Sequence, residues 1–350
     1  MDTPLIVVHR AAAACMEEYE GCTLPESFAT LEQECAAAKR RVAVFDTSWH
    51  ATLKLTGRDR VNYLHAITSG NIKALEPGHG TLALLLNPQG HILSELEIYV
   101  LADSVLVRTH ASARERTLTT LKKFIIASDV RIEDLTDATG SMAIEGPHAP
   151  TVILQTCGVD LGELPLMSVR DVAVDGIPCQ LVRRSHFGTP GAEFIAGRDA
   201  LPELWTEVLM AAAAQGGEPI GMGALNALRL EAFVPWFPAD FNEAMIPHEA
   251  AVENTHISFN KGCYTGQEIV ERVRSRGHVN RKRVPLKFST STPPAAGTKL
   301  RANAAEIGFV SSAAAMPNGQ PAIGMGYVRK EQFAPGSVVE FDGGTATVTG

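Results

Sequence analysis

A β-hairpin near residue 90 constrains the fold of this chain more than any other segment. Thr81 to Leu86 is typical of one strand, Asn87-Pro88-Gln89-Gly90 has the composition of a type I turn, and Ile92 to Val100 is typical of the returning strand. The two faces of the returning strand carry Ile92, Ser94, Leu96, Ile98 and Val100 on one side and Leu93, Glu95, Glu97 and Tyr99 on the other. The segment therefore predicts an antiparallel pair of strands.

The pattern of apolar residues changes twice along the rest of the chain. Between about 128 and 220 the order strand, helix, strand, strand, strand, helix fits a small α+β sandwich with a ferredoxin-like plan. After about 284, short strand-like runs alternate with Pro and Gly, which predicts a separate β-barrel or sandwich. The segment 222–283 fits neither neighbour well.

Composition excludes several classes of protein. The formal net charge of −8 does not favour nucleic acid as a partner. The six cysteines include no Cys-x-x-Cys pair, which argues against a structural zinc site or a self-contained iron–sulfur cluster and indicates a reducing compartment. The N-terminus lacks the pattern of a signal peptide, and no run approaches the roughly 20 apolar residues of a membrane span. We therefore expect a soluble cytoplasmic protein.

The segment Lys261 to Glu268 contains a thiol, an ammonium group, a phenol, an amide and a carboxylate within eight residues. Thr265 and Glu268 match a capping box, which predicts a helix that begins there. The positive end of that helix and Lys261 would favour the thiolate of Cys263. A lone cysteine in such a protein also fits a small buried apolar residue, and the capping box alone would explain Thr265 and Glu268. No metal site is predicted, since His248-Glu249 stands without a second histidine.

Two further stretches have open interpretations. The basic run from Arg272 to Lys287 fits either a local anion site or a solvated loop and strand edge. The aromatic stretch Phe233 to Pro238 fits either one wall of a pocket for a flat ligand or ordinary core. The sequence contains no phosphate-binding Gly-Lys-Ser/Thr loop and no complete Gly-x-Gly-x-x-Gly motif.

Taken together, several segments resemble the superfamily of the glycine-cleavage T-protein, an aminomethyltransferase. Within it, the chain looks most like the YgfZ-type branch of folate-binding proteins that assist iron–sulfur cluster assembly or repair. The most specific match is Lys261 to Glu268, against the branch's Lys-Gly-Cys-Tyr-x-Gly-Gln-Glu. The other matching segments are Val44 to Ser48, Leu64 to Thr68 with Asn71, Leu84 to Ile92, Leu228 to Ala232, and Pro247 to Ala250.

The resemblance implies an α+β fold of three domains around a central channel that holds tetrahydrofolate or a reduced derivative. The expected units are a discontinuous first domain (1–127 plus 222–283), a ferredoxin-like middle domain (128–221) and a C-terminal β-barrel (284–350). It also implies that Cys263 serves the iron–sulfur role. The expected folate contacts are Asn71, Glu95, Arg229, Lys261, Tyr264, Gln267, Glu268 and Arg272.

The chain departs from the transferase pattern at two places. The transferases carry Asp-Asp-Leu after the hairpin turn, where one aspartate helps a folate nitrogen attack the aminomethyl carbon, and this chain has Ser94, Glu95 and Leu96. Glu95 retains a carboxylate but displaces it by about 1 Å, enough to cost roughly a hundredfold in rate. The glutamate that grips the pterin ring in the transferases is replaced by Thr189.

Three hypotheses follow. The first is a tetrahydrofolate-binding protein that assists synthesis or repair of iron–sulfur clusters in client enzymes, supporting tRNA modification through them, with Cys263 as the reacting residue. The second is a folate-dependent aminomethyltransferase in which Glu95 is essential. The third is an RNA-associated or scaffold protein that uses the basic run from Arg272 to Lys287.

Overall fold

The computed structural model describes residues 2–349. Met1, Gly350 and the side chain of Arg276, which belongs to the predicted basic run, lie outside the described residues. In chain order the strands are β1 (Cys15–Tyr19), β2 (Cys22–Ser27), β3 (Ala43–Asp46), β4 (His50–Thr56), β5 (His79–Leu86), β6 (Ile92–Val100), β7 (Val105–His110), β8 (Arg131–Asp134), β9 (Thr139–Glu145), β10 (Val169–Val174), β11 (Ile177–Val182), β12 (Gly191–Gly197), β13 (Glu218–Pro219), β14 (Arg281–Phe288), β15 (Lys299–Ala302), β16 (Ala305–Ala314), β17 (Ile323–Arg329), β18 (Val338–Phe341) and β19 (Gly344–Val348).

The helices connect and cover these strands. They are α1 (Ile6–Ala11), α2 (Leu31–Arg40), α3 (Arg60–Ile67), α4 (Arg114–Lys123), α5 (Ala149–Cys157), α6 (Leu201–Ala214), α7 (Met222–Glu231), α8 (Pro247–Ala250), α9 (Glu253–His256) and α10 (Gln267–Arg276). Within residues 2–349 none of them has both the length and the apolar character needed to cross a bilayer.

The predicted hairpin forms β5 and β6 of a five-stranded sheet with the order β5-β6-β7-β4-β8. Its turn closes with a hydrogen bond from the Gly90 N–H to the Asn87 carbonyl at 2.9 Å, and Gly90 has the positive φ of +77° that glycine adopts without strain. The apolar face of β6, with Leu96 and Ile98, packs against α3 and α4. The opposite face carries Glu95 and Glu97 toward the interior of the molecule.

The second sheet has six strands in the order β10-β11-β12-β9-β3-β13. Helices α5 and α6 cover one face of it, and Trp205 of α6 is the largest buried side chain there. The short strand β3 lies between β9 and β13, and all four of its residues are buried. Such a fully buried strand needs a neighbour on each side and a layer on each face.

These pairings differ from the predicted domain boundaries at two strands. Strand β3, expected in the first unit, belongs to the sheet built mainly from residues 139–197. Strand β8, expected in the middle unit, pairs instead with β4, where Leu55 lies opposite Ile132. Hydrophobic periodicity identifies a strand but not its partners, because the partner is chosen by packing between segments far apart in the chain.

The C-terminal barrel is present, and its six strands close in the order β14-β17-β16-β15-β18-β19. Its interior is filled by apolar side chains such as Leu286, Phe288 and Val328. Gly308 allows β16 and β17 to approach closely, since a Cβ atom there would lie 1.7 Å from the Tyr327 carbonyl oxygen. The α+β class and the β-barrel expected from the sequence are therefore confirmed.

The segment between α7 and α10 joins the three sheets. Helix α7 packs against α2, β2 and the barrel strands β16 and β17. Residues that follow it, including Phe241 and Val252, pack with Leu86 and Ile92 of the hairpin. The chain thus returns to the hairpin sheet after it has formed the middle sheet. A cavity lies where the hairpin sheet, α7 and the barrel meet.

Candidate functional site

The cavity at this junction has a volume of about 500 Å³. Its walls come from the β1–β2 hairpin, from β6 and β7, from α7 and residues 235–239, and from residues 293–296 and 311–313 of the barrel region. The volume lies within the range of sites that hold small organic ligands. Because distant segments supply the walls, no single stretch of sequence indicates the cavity.

Buried charges form the floor of the cavity. Arg108 of β7 is fully buried and donates to Glu193 of β12 at 2.5 Å and to Glu97 of β6 at 3.3 Å. Arg184 donates to the other oxygen of Glu97 at 2.9 Å. Two carboxylates and two guanidinium groups therefore balance one another, as buried charges require.

This network sets the protonation of the two carboxylates. Burial alone would raise the pKa of Glu97, but the charges of Arg184, His50 and Arg108 outweigh it and hold that pKa well below its usual range. The pKa of Glu193 is also low, because Arg108 and His186 outweigh its burial. Both carboxylates are ionised at neutral pH and act as fixed hydrogen-bond acceptors.

Some polar atoms of the floor remain without partners. Among residues 2–349, nothing bonds to the buried Nε atoms of Arg108 and Arg184, to Nε2 of His186 or to Oε2 of Glu193. The last two atoms face each other at 3.6 Å, which is too long for a hydrogen bond. Unpaired buried polar groups cost free energy, and a ligand rich in donors and acceptors would remove part of that cost.

A third carboxylate, that of Glu95, lies on the cavity wall. The Glu95 carboxylate accepts from Nε2 of His256 at 2.8 Å, and the Glu95 side chain is 19% exposed. Nδ1 of His256 lies 2.7 Å from the Thr255 hydroxyl and 3.3 Å from the Val252 carbonyl. Bonds at both ring nitrogens fix the imidazole and, through it, the orientation of the Glu95 carboxylate.

Aromatic rings form the opposite wall. Trp49 and Trp236 lie with their ring centroids 5.8 Å apart, and the guanidinium of Arg229 lies 4.5 Å from the centroid of Trp236. The aromatic stretch around residue 236 therefore serves as a pocket wall, because Pro235 to Ala239 all line the cavity. The two rings contact each other at an interplanar angle of 44° and together give the cavity an apolar aromatic wall.

Arg229 lines the cavity as expected, but its charge is already paired. It forms a buried ion pair with Asp240 and donates to the Val234 carbonyl at 3.1 Å and to the Asn226 side chain at 3.0 Å. Burial lowers the pKa of Arg229 although Asp240 opposes the effect. These contacts indicate that Arg229 stabilises the cavity wall.

The segment Lys261 to Glu268 does not line the cavity. The predicted capping box is absent: α10 begins at Gln267, its N-cap is Gly266, and no side chain caps it. Gly266 has φ of +83°, and a Cβ atom there would lie 2.7 Å from the Asn87 carbonyl, so contact with the hairpin turn fixes the start of the helix. Glu268 instead pairs with Arg272 at 2.6 Å on the exposed surface.

Lys261 is buried and points toward the end of α3. Its ammonium group donates to the carbonyls of His65 and Thr68 and lies 5.0 Å from the ring centroid of Tyr264. Burial and the charge of Lys73 lower the pKa of Lys261 to about 8. These contacts anchor the segment, since a cation favours the C-terminal end of a helix.

The predicted site residues therefore separate into three places. Glu95 and Arg229 line the cavity. Cys263 is exposed outside it, as are Glu268 and Arg272 on α10. The third group also lies outside the cavity lining but is buried or half-buried, and it consists of Asn71, Lys261, Tyr264 and Gln267.

Sequence reasoning missed most of the charged floor. Thr189, which replaces a glutamate of the transferase pattern, donates to Glu145 at 3.1 Å and is outside the cavity lining. Glu193, four residues later, lies beneath the lining and accepts from Arg108. Glu97 carried a usable signal, because it shares a strand face with Glu95. Arg108 and Arg184 gave none, since only the folded chain brings them together.

Comparison with known proteins agrees with this architecture. The aminomethyltransferase of Geobacillus kaustophilus is 26% identical over 342 residues, covering 97% of this chain and 93% of that protein. The aminomethyltransferase of Streptomyces coelicolor is 29% identical, covering 96% and 91%. The solved structure of glycine cleavage system aminomethyltransferase T from Bartonella henselae superposes with a TM-score of 0.90 at 23% identity, covering 100% of this chain and 97% of the other.

Family membership follows from the match along the chain. Residues 5–261 match the family described as the GCVT N-terminal domain, which is well over half of the 350 residues. This chain therefore belongs to the GCVT N-terminal domain family.

Proposed function

We propose that this protein binds a reduced folate, such as tetrahydrofolate, in the central cavity and transfers an aminomethyl or related one-carbon group to it. The observation that carries the proposal is the Glu95 carboxylate on the cavity wall, held by His256 at 2.8 Å. The aminomethyltransferase relatives support the reaction class.

The size and polarity of the cavity support a folate as its ligand. A pterin ring is flat and carries both hydrogen-bond donors and acceptors along its edge. The cavity offers Trp49 and Trp236 beside a polar floor, where the unpaired atoms of Arg184 and His186 can meet such an edge. The low pKa of Glu97 keeps the floor ionised at neutral pH.

Each wall has a separate role in the reaction. When bound, the folate would supply the nitrogen that forms the new bond to the one-carbon unit, while the bond from that carbon to its donor breaks and the donor leaves with the electron pair. Glu95 is placed to accept the proton which that nitrogen loses, since its carboxylate is partly exposed to the cavity and oriented by His256. The charged floor and the two tryptophans exclude water and orient the flat ring.

Titration calorimetry with tetrahydrofolate tests the binding step. We expect the Trp236→Leu variant to bind roughly fivefold more weakly, since a lost ring contact is worth about 1 kcal/mol. The matched control is Phe259→Leu, which changes another half-buried ring outside the cavity and should leave the affinity unchanged. Absence of binding at millimolar tetrahydrofolate, or equal losses in both variants, would contradict the proposal.

A second candidate is assistance to iron–sulfur cluster assembly or repair in client enzymes. The observation that favours it is the exposed thiol of Cys263, within the segment that resembles the YgfZ-type signature. A single thiolate cannot hold a cluster alone, so a client would supply the other ligands. In this case the folate cavity and the thiol would act at separate surfaces of the protein.

Replacing Cys263 tests the second candidate in cells that lack the native protein. We expect Cys263→Ala to reduce the activity of cluster-dependent enzymes to the level of the deletion, because alanine offers no sulfur ligand. Cys15→Ala is the matched control, since Cys15 is also an exposed free thiol. Normal enzyme activity in the Cys263→Ala strain would remove this candidate and leave aminomethyl transfer.

A further inference from the structure

A second cavity of about 510 Å³ lies between α10 and the barrel, away from the central cavity. Its lining includes His248 and Glu253 from the short helices α8 and α9, Phe259 from the loop that follows, and Arg274 from α10. Lys282, Lys330 and Phe333 complete it from the barrel side. None of these residues lines the central cavity.

The charges around this second cavity are mostly positive, in a chain whose formal net charge is −8. Arg274, Lys282 and Lys330 face a single carboxylate, Glu253. Within residues 2–349, neither lysine side chain forms an ion pair or a hydrogen bond, and Arg274 has only a long contact of 3.5 Å with Glu271. Two lysines without a counter-ion that converge on a cavity attract an anion.

The same cavity presents aromatic surface and unpaired polar atoms. The guanidinium of Arg274 lies 4.3 Å from the ring centroid of Phe259, so cation and ring form one platform. Both ring nitrogens of His248 are shielded from solvent and lack a partner among the described residues. Burial and the nearby Lys282 lower the pKa of His248, with Glu253 and Glu271 opposing them, which favours a neutral imidazole that can donate and accept.

We propose that the second cavity binds a small anion with an aromatic ring, of the class of a nucleoside phosphate. The lysines would contact the phosphate groups, and Phe259 with Arg274 would pack against the base. His248 and Glu253 would meet polar atoms of the base edge. The inference does not depend on folate binding, since the two cavities share none of the residues that carry either argument.

Calorimetric titration of the full-length protein with ADP tests this inference. We expect ADP to bind at least tenfold more tightly than inorganic phosphate. The double variant Lys282→Glu/Lys330→Glu should weaken ADP binding at least tenfold, and Phe259→Leu should also weaken it several-fold. Lys287→Glu is the control, because Lys287 lies on the same strand as Lys282 but is exposed outside the cavity.

The controls distinguish a specific binding site from general electrostatic attraction to the protein surface. Equal affinity for ADP and phosphate would overturn the aromatic part of the proposal, and no binding at millimolar ADP would overturn it entirely. If Lys287→Glu weakened ADP binding as much as the double variant does, the attraction would come from general surface charge, and the proposed site would be overturned. If the double variant does not fold, as judged by thermal unfolding, the Phe259→Leu result decides, and unchanged ADP affinity there overturns the proposal.

Discussion

Replacing Asp240 with alanine is expected to lower the free energy of unfolding by about 3–5 kcal/mol, because the change leaves the charge of Arg229 buried without a partner. Asp240 is fully buried and pairs with Arg229, which is also buried. Its carboxylate accepts from the Trp236 N–H at 3.0 Å and from the Ser311 hydroxyl at 2.7 Å. Removing it breaks a junction between α7, the cavity wall and the barrel.

Urea unfolding measures the effect, and an exposed ion pair supplies the control. Asp342, 84% exposed, accepts from Arg301 at 2.6 Å, and Asp342→Ala should change stability by less than about 1 kcal/mol. A double variant, Arg229→Met/Asp240→Leu, should recover much of the loss, since no charge is then left buried. Equal effects of Asp240→Ala and Asp342→Ala would show that the buried pair is not a stabilising junction.

Glu95→Gln is expected to reduce tetrahydrofolate-dependent aminomethyl transfer by roughly a hundredfold or more while tetrahydrofolate affinity changes only a few-fold. The amide keeps the size and a hydrogen bond to His256 but cannot accept a proton from the reacting nitrogen. Steady-state kinetics beside calorimetry would separate kcat from binding.

Ser94→Ala is the matched control for Glu95. Ser94 is adjacent in sequence but faces away from the cavity, where its hydroxyl lies 2.6 Å from that of Thr117. We expect Ser94→Ala to leave kcat within a few-fold of the wild-type value. Unchanged kcat in Glu95→Gln would assign the proton to another group, and retained support of iron–sulfur enzymes in that variant would favour the role of Cys263.

The fold was largely predictable where local pattern decides it. The hairpin from β5 to β6 and the closed barrel both carry strong alternation and turn residues, and both are present. The sheet that receives β3 was not predictable, because Ala43–Asp46 indicates only a buried strand and its neighbours β9 and β13 follow more than 90 residues later. Pairing across such distances depends on the packing of the whole molecule.

The site divides in the same way. Glu95 was predicted because it occupies a motif position beside a recognisable turn, and it lies on the cavity wall. Arg108 and Arg184 were missed, since neither belongs to a recognisable motif and each acquires its role only through Glu97 and Glu193. The predicted capping box was wrong, because contact between Gly266 and the hairpin turn outweighs the preference of Thr265 for the N-cap position.

The contact between the hairpin turn and the start of α10 has a mechanical consequence. A Cβ atom on Gly90 would lie 2.9 Å from Ile269, and one on Gly266 would lie 2.7 Å from the Asn87 carbonyl, so the two segments interlock without free space. Cys263 precedes this seam on one side, and β6 leads from it to Glu95 on the other. The loop that follows Cys263 and the strand that bears Glu95 are therefore held in direct contact through this turn, and neither can move toward the other.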